Sequence, residues 1–292
     1  MDKAHTHTLI DQHTGEVAFK IFKFNDLNHF GHIQRKNCYS LLLLQTGEAM
    51  LKVDITEYLI GPATLICCSP YQPHMLTSVK PSSGCVLYFH PDFFCTYKHQ
   101  NEIATEGVLF HNSYQAPFFH LTQTQNLLDI LARMAQELTE DHLAQHEVLV
   151  AYLKIFLIEA VRQKQKYDQT TRLKSVNDQP EMIQNLVNAI EHHFCEKHSP
   201  LAYADMLCTT PKTLGRIVKK YFNKTLTDLI TNRIIIEAKR ELYLTAKSVK
   251  QISFSLGYQD AFYFSRLFKK RVGVSPEVYR KTVGFAKLQK GQ

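Results

Sequence analysis

The stretch "ISFSLGYQDAFYFSRLFKKRVGVSP", Ile252 to Pro276, alternates Phe and Tyr with Ser, then runs into Arg and Lys just before a Gly and a Pro. The same layout occurs fifty positions earlier. Setting Asp260 over Thr210 pairs Phe264 with Leu214, Arg266 with Arg216 and Phe268 with Val218. Lys269-Lys270 then falls on Lys219-Lys220, and Gly273-Val274-Ser275 on Asn223-Lys224-Thr225. An internal repeat constrains architecture before any single element does. The repeated unit is a short apolar helix, a tight turn and a second, amphipathic helix. Asp260 and Thr210 each stand where an N-cap belongs, with a side-chain oxygen available to the first-turn amides. Pro211 follows at the first helical position, where its missing N–H costs nothing. Gly257 lies in the turn of the second copy, where a residue without Cβ permits a left-handed backbone.

The two amphipathic helices have distinct sides. In the second copy Phe264, Leu267 and Phe268 share one face, and Phe262, Ser265, Arg266 and Lys269 the opposite one. In the first, Leu214, Ile217 and Val218 turn inward while Lys212, Gly215, Arg216 and Lys219 turn outward. The apolar residues seat each helix and the cations face a partner that a helix can enter. A DNA major groove admits an α-helix, Arg reaches guanine in two-pronged fashion, and Phe262 suits a thymine methyl. Lys more often positions a protein on phosphates. A solvated basic helix is the plain alternative for either copy alone; two copies in register argue against it. Between them "LTDLITNRIIIEAKRELYL", Leu226 to Leu244, predicts one continuous helix of ~28 Å, a spacer for two groove-entering helices about one DNA turn (~34 Å) apart.

Charge divides along the chain. From residue 181 onward there are 19 Lys and Arg against 9 Asp and Glu, a net of +10; residues 1–180 carry 15 against 18, a net of −3. Only the second half is suited to a polyanion. The polar start "MDKAHTHTLIDQH" has no apolar leader core, and the longest apolar stretches fall short of the ~20 residues that span a bilayer. The seven cysteines, Cys38, Cys67, Cys68, Cys85, Cys95, Cys195 and Cys208, form no CxxC pair. Reduced thiols in a cytoplasmic protein fit that usage.

Residues 15–120 carry short apolar runs, "EVAFKIF", "SLLLLQ", "AMLKVDI", "TLICCSP" and "GCVLYFH", punctuated by Gly and Pro. Such spacing predicts a sandwich or small barrel. Two helices are expected next, Gln123–Glu140 and Gln145–Gln163. The second is apolar around most of its girth, so it must be buried in its own domain or against a second copy. "QKYDQTTRLKSVNDQP", Gln165 to Pro180, is polar without apolar period and reads as a linker.

The segments "EAKRELYLTAKSVKQISFSLGYQDAFYFSRLFKKRVGVSPEVYRK" and "YADMLCTTPKTLGRIVKK" resemble the two halves of the DNA-binding domain of AraC/XylS-family transcription regulators. The resemblance covers about residues 183–283 and rests on the Leu-Gly-Tyr turn, "YFSRLFKK" and "GVSP" followed by "YR", in order. It implies that Lys212, Gly215 and Arg216 in the first copy, and Ala261, Phe262, Ser265 and Arg266 in the second, face bases. Two departures stand out. Gly215 presents no side chain, and Ser253 stands where the family commonly has Ala. "YLIGPATLICCSPYQPH" is similar to a strand region of the cupin-like effector and dimerisation domain of many such regulators.

The expected fold class is multidomain α+β: a cupin-like β-barrel with a helical pair, then an all-α domain with two helix-turn-helix units joined by a linker helix. The expected domains are residues 1–166 for effector binding and dimerisation, 167–180 as linker, 181–285 for DNA binding and 286–292 as tail. Phe22, Phe24, Tyr39, His74 and Tyr88 are the candidate effector-binding residues, the aromatics among them lining an apolar pocket with Phe19 and Phe89; filling of the barrel core is the other reading of all these aromatics. His74 and His90 lack the spacing of cupin metal ligands and suit structural roles, and His5, His7 and His13 read as tail, so no metal or other cofactor is expected. The expected function is a sequence-specific transcriptional regulator without catalysis, a homodimer on double-stranded promoter DNA. It would answer a small-molecule effector, engage RNA polymerase if it activates, and have no membrane partner. Three alternatives are a cupin-type enzyme fused to a DNA-binding module, a DNA-repair methyl acceptor, which needs a reactive Cys, and a nonspecific architectural binder.

Overall fold

A computed structural model describes residues 6–11, 15–96, 107–139, 143–175 and 181–283. His5, His13 and the expected tail 286–292 lie outside them. The chain divides into two units: residues 1–112 with 116–173, and residues 174–292 with 113–115.

The first unit is built on a seven-stranded sheet. Its strands are β1 (Thr6–Ile10), β2 (Val17–Phe24), β3 (Tyr39–Val53), β4 (Thr56–Ile60), β5 (Thr64–Cys68), β6 (His74–Phe89) and β7 (Phe118–His120). The order is β1-β2-β6-β3-β5-β7, with β4 also on β3, and every pair is antiparallel. His7 therefore belongs to a strand, opposite Ile21, and not to a tail as its polar surroundings suggest. Side-chain alternation gives the sheet two apolar faces. Phe19, Ile21, Tyr39, Leu41, Leu43, Leu87 and Phe89 pack towards helices; Phe24, Leu42, Leu44, Ile66, Val86 and Tyr88 form the opposite core. Past the register shifts between Leu44 and Ala49 the parity of β3 reverses. Ala49, Leu51 and Val53 thus join Leu42 and Leu44 in one core. An extra residue in one strand moves side chains to the other face and bends the ribbon, so one long strand wraps a single interior.

Two helices cover the first face. Helix α1 (Gln125–Glu137) buries Leu127, Leu131 and Met134. Helix α2 (Gln145–Ser175) buries Leu149, Leu153, Phe156, Leu157, Ala160 and Val161 in the same cluster. Burial within its own domain accounts for most of its apolar girth. The helix continues twelve residues beyond Gln163, through much of the segment that reads as linker; residues 176–180 lie outside the described ones. At the start of this extension Gln163 is buried and hydrogen-bonds the main chain of Gln123. Lys164 lies over the rings of Phe119 and Tyr167 and pairs with Asp168 at 2.7 Å.

The second unit is helical: α3 (Glu181–His193), α4 (Pro200–Met206), α5 (Pro211–Phe222), α6 (Leu226–Leu244), α7 (Val249–Ser255), α8 (Ala261–Val272) and α9 (Pro276–Val283). The spacer helix has the bounds expected from its sequence. It buries Leu226, Leu229, Ile230, Ile234, Ile235, Ala238, Leu242 and Tyr243 and touches α3 and α5 of the first copy and α7 and α9 of the second. Thr225 caps it in a reciprocal box with Asp228, which satisfies two amides that would otherwise lack partners.

Asp228 also accepts a 2.8 Å hydrogen bond from Arg271 of α8. Burial alone raises this carboxyl, but the hydrogen bonds and charge of Thr225 and Arg271 outweigh it and hold it below the usual carboxylate range. A carboxyl lowered on folding stabilises the fold above its unfolded pKa of ~3.9, and that contribution disappears as pH falls through the folded value. The stability advantage of the wild type over Asp228→Asn is expected to be full at about pH 6 and to shrink below about pH 4, as read by urea unfolding across a pH series. Two glycine substitutions should diverge in the same assay. Gly257 has φ +81° and a Cβ there would fall on the Cys195 carbonyl, so Gly257→Ala should cost more than the ~1–3 kcal/mol of backbone strain alone. Nothing of the protein lies near a Cβ at Gly215, and Gly215→Ala should gain ~1 kcal/mol.

Candidate nucleic-acid interface

Each helix-turn-helix begins with a capped helix. Ser199 accepts from the Ala202 amide ahead of α4, and Ser248 forms a capping box with Gln251 ahead of α7. The turns follow. Cys208 takes φ +50° in the first and Gly257 φ +81° in the second. Thr209 N–H then returns to the Ala204 carbonyl, and Tyr258 N–H to that of Ser253. These equivalences are forty-nine residues apart, whereas the caps of α5 and α8, Thr210 and Asp260, are fifty apart. The second turn is one residue longer. Ser253 thus takes the place of Ala204; both are fully buried, and the Ser253 hydroxyl bonds the Lys250 carbonyl at 2.8 Å, which removes the cost of burying it.

The caps of the two amphipathic helices work as their sequence predicts. Thr210 Oγ1 accepts from the Thr213 amide at 3.2 Å, and Asp260 Oδ1 from the Phe262 amide at 2.7 Å. Both helices end on a left-handed residue, Asn223 and Gly273, at matched positions. Leu214 and Val218 of α5 and Phe264 and Phe268 of α8 are fully buried. In the second copy the seat is aromatic: Phe264 meets Tyr258 and Phe268, and Phe268 meets Tyr279 edge-on.

The opposite faces are open. Lys212, Arg216 and Lys219 of α5 and Arg266 and Lys269 of α8 are exposed, while Gly215, Ala261 and Ser265 are half-buried. Phe262 is 82% exposed, unusual for a large apolar side chain with no partner to cover it. Lys220 and Lys270, matched in the repeat, and Tyr263 are exposed beside them. Their outward placement is set by helical rotation, which the spacing of the buried residues already contains.

Two sets of basic residues contrast. Arg233 pairs with Glu191 and Glu237, Arg240 with Glu237, Lys247 with Glu241 and Arg271 with Asp228. Those cations brace the domain. Lys212, Arg216, Lys219, Arg266 and Lys269 have no carboxylate partner among the described residues, so their charge is left to attract an anion from outside.

The candidate effector residues do not form one group. Phe24, His74 and Tyr88 are buried and Phe22 half-buried on the core face away from the helices. Tyr39 points the other way. It stacks on Phe89 and hydrogen-bonds Thr96 at 2.6 Å, because strand alternation puts it in register with the helix-facing row. His90 is buried beside Asp92 and Glu16. Among the described residues no group of three or more His, Cys, Asp or Glu is placed to hold a metal ion, and no helix is long and apolar enough to cross a membrane.

Both units match known proteins in the same order along the chain. A family described as an AraC-like ligand binding domain matches residues 27–154, and one described as a helix-turn-helix domain matches residues 203–282. The HTH-type transcriptional activator RhaS of Enterobacter sp. (strain 638) is 25% identical over 248 residues, 83% of this chain and 84% of that protein. The bifunctional transcriptional activator/DNA repair enzyme AdaA of Bacillus subtilis (strain 168) is 30% identical over 112 residues, 37% of this chain and 53% of that protein. The structure of ToxT from Vibrio cholerae bound to an unsaturated fatty acid aligns with 95% of this chain and 94% of that one, at 18% identity and a TM-score of 0.41. With a ligand-binding unit preceding a twin helix-turn-helix unit, the chain belongs to the AraC/XylS family of DNA-binding transcriptional regulators.

Proposed function

We propose that α5 and α8 enter successive stretches of major groove on one duplex. Arg216 and Arg266 read base edges, Lys212, Lys219 and Lys269 sit against phosphates, and Phe262 covers a thymine methyl. Gly215, Ala261 and Ser265 let the helix backbones come close. The observation that carries this reading is the pair of matched faces whose cations lack carboxylate partners among the described residues, held by one rigid spacer of ~28 Å. The gap to the ~34 Å repeat of B-DNA is small enough for tilted helices or slight bending to absorb.

The protein acts as a cytoplasmic homodimer, joined through the outer faces of α1 and α2. Ile155 of α2 is 52% exposed and stands with the half-buried Tyr152 and Ile158, an apolar strip suited to a second copy. An effector in the first unit shifts the population between states that hold the DNA-binding units differently, and an activating form would also engage RNA polymerase. Catalysis is not part of this reading. Burial pushes the Cys38 thiol up to about 12 and raises Cys67, Cys68 and Cys85 as well, which suppresses the thiolate that a methyl acceptor needs.

Arg266→Ala is expected to cost about 1–3 kcal/mol on the preferred operator and to relax preference at one base position. Lys269→Ala should weaken all sequences alike and lower the salt slope by about one. Selection of bound sites from a random library, with affinities at several salt concentrations, checks both; uniform loss for the arginine variant would contradict its role. Ile155→Glu should shift the full chain from dimer to monomer in sedimentation equilibrium without altering its unfolding midpoint.

A further inference from the structure

At one end of the inner sheet face, packing leaves polar groups unused. Across the strands in register, Lys20 of β2 lies beside Tyr88 of β6, Tyr88 beside Ser40 of β3, and Ser40 beside Cys68 of β5. The next row on the same face, Phe22, Val86, Leu42 and Ile66, is wholly apolar. Tyr88 is 3% exposed and its phenol oxygen has no hydrogen-bond partner. The neighbouring Ser40 hydroxyl is likewise buried without a hydrogen-bond partner. His74, 2% exposed on the same core face, bonds the Gln72 carbonyl through Nδ1 at 2.9 Å. That bond places the proton on Nδ1 and makes Nε2 an acceptor, also buried and unpartnered. Burial lowers the His74 pKa and so keeps the ring neutral. Native folds rarely leave such groups unmatched.

Two ammonium groups stand over the same residues. Lys20 Nζ is 5.3 Å from the centre of the Phe22 ring and Lys36 Nζ 5.0 Å from that of Tyr88. Neither has a carboxylate partner among the described residues. Gln34 bridges His74 through two backbone hydrogen bonds, at 2.8 and 3.2 Å. Lys36 stands two residues further along that segment, so one stretch of chain brings the cation and the imidazole to the same end of the sheet. Phe22 further meets Phe30, His29 and Tyr88, making an aromatic panel beneath the charges.

Each unmatched group asks for a different part of a ligand: the ammoniums for an anion, the phenol for an acceptor, the panel for an apolar body, and His74 Nε2 for a donor. We propose that the effector of this regulator is an aromatic carboxylate, its carboxylate held by Lys20, Lys36 and the Tyr88 hydroxyl and its ring lying on Phe22. A hydroxyl on the ring would serve His74. A neutral sugar fits poorly, because the row beneath the polar groups offers its hydroxyls nothing. This deepens the reading that the first unit binds an effector and rests on it.

The test is calorimetric titration of the full chain with 3-phenylpropanoate, 3-(4-hydroxyphenyl)propanoate, the neutral 3-(4-hydroxyphenyl)propan-1-ol and arabinose. The carboxylates are expected to bind saturably, the hydroxylated one more tightly, and the alcohol about tenfold or more weaker, the loss of one charge-assisted contact. The double variant Lys20→Met, Lys36→Met should abolish the preference for carboxylate over alcohol. Tyr88→Phe, which removes a single unpartnered oxygen, should weaken the carboxylates while leaving the unfolding midpoint unchanged or higher; this separates lost binding from lost folding. Equal binding of acid and alcohol, full carboxylate affinity in the lysine variants, or no carboxylate binding at millimolar concentration overturns the proposal. Saturable binding of arabinose with none of the acids would overturn it while leaving the effector reading intact. Operator affinity measured with and without each bound compound tests that broader reading separately.

Discussion

Helix α6 is the surface on which both helix-turn-helix units complete their cores. Its apolar residues run from Leu226 at one end to Tyr243 at the other, and neither copy has another helix of that length to bury against. Remove that shared wall and each unit is three short helices, below the size at which an isolated core is stable. Helices α5 and α8 therefore do not fold as independent modules tied by a string. Their spacing is a property of one continuous core, and Asp228, bonded to Arg271 of α8 while closing the cap of α6, fixes the second helix against the start of the spacer.

Charge is organised around that core in two layers. The inner layer is neutralised: Arg233, for example, lies over the Phe194 ring and between Glu191 and Glu237. The outer layer keeps its positive sign. Paired cations contribute little to a long-range field, because each is cancelled within a few ångströms; those on α5 and α8 without carboxylate partners add together into a field that would attract a polyanion. Many basic residues can thus coexist with a compact fold when those that brace it are matched by carboxylates.

Much of this was legible in the chain itself, for reasons that are local. N-caps, left-handed C-caps and the spacing of buried residues are properties of a few consecutive side chains, which is why α5, α6 and α8 fall where expected and their cations face outward. What escaped depends on distant partners or on polar helices. No apolar period marks the extension of α2 beyond Gln163, since its opening turn is held by Lys164, Asp168 and the Gln123 main chain. Strand β1 has no fully buried residue, only Leu9 packing against the core, and it forms because β2 offers an edge. The separation of Tyr39 from Tyr88 follows from strand register, which aromatic composition does not contain. The extra residue in the second turn is hidden because the repeat is strongest in the helices that follow it.

That extra residue makes the two readers unlike. The turn between the two helices is one residue longer in the second unit, so the two units are not exact copies, even though their caps and seats correspond. On the proposed mode of binding the two helices follow one another along the duplex, so a single copy of the protein has a head and a tail. With α5 and α8 reading bases as proposed, turning a binding site end for end would offer each helix the other's bases, and a single chain would distinguish the two orientations of its site.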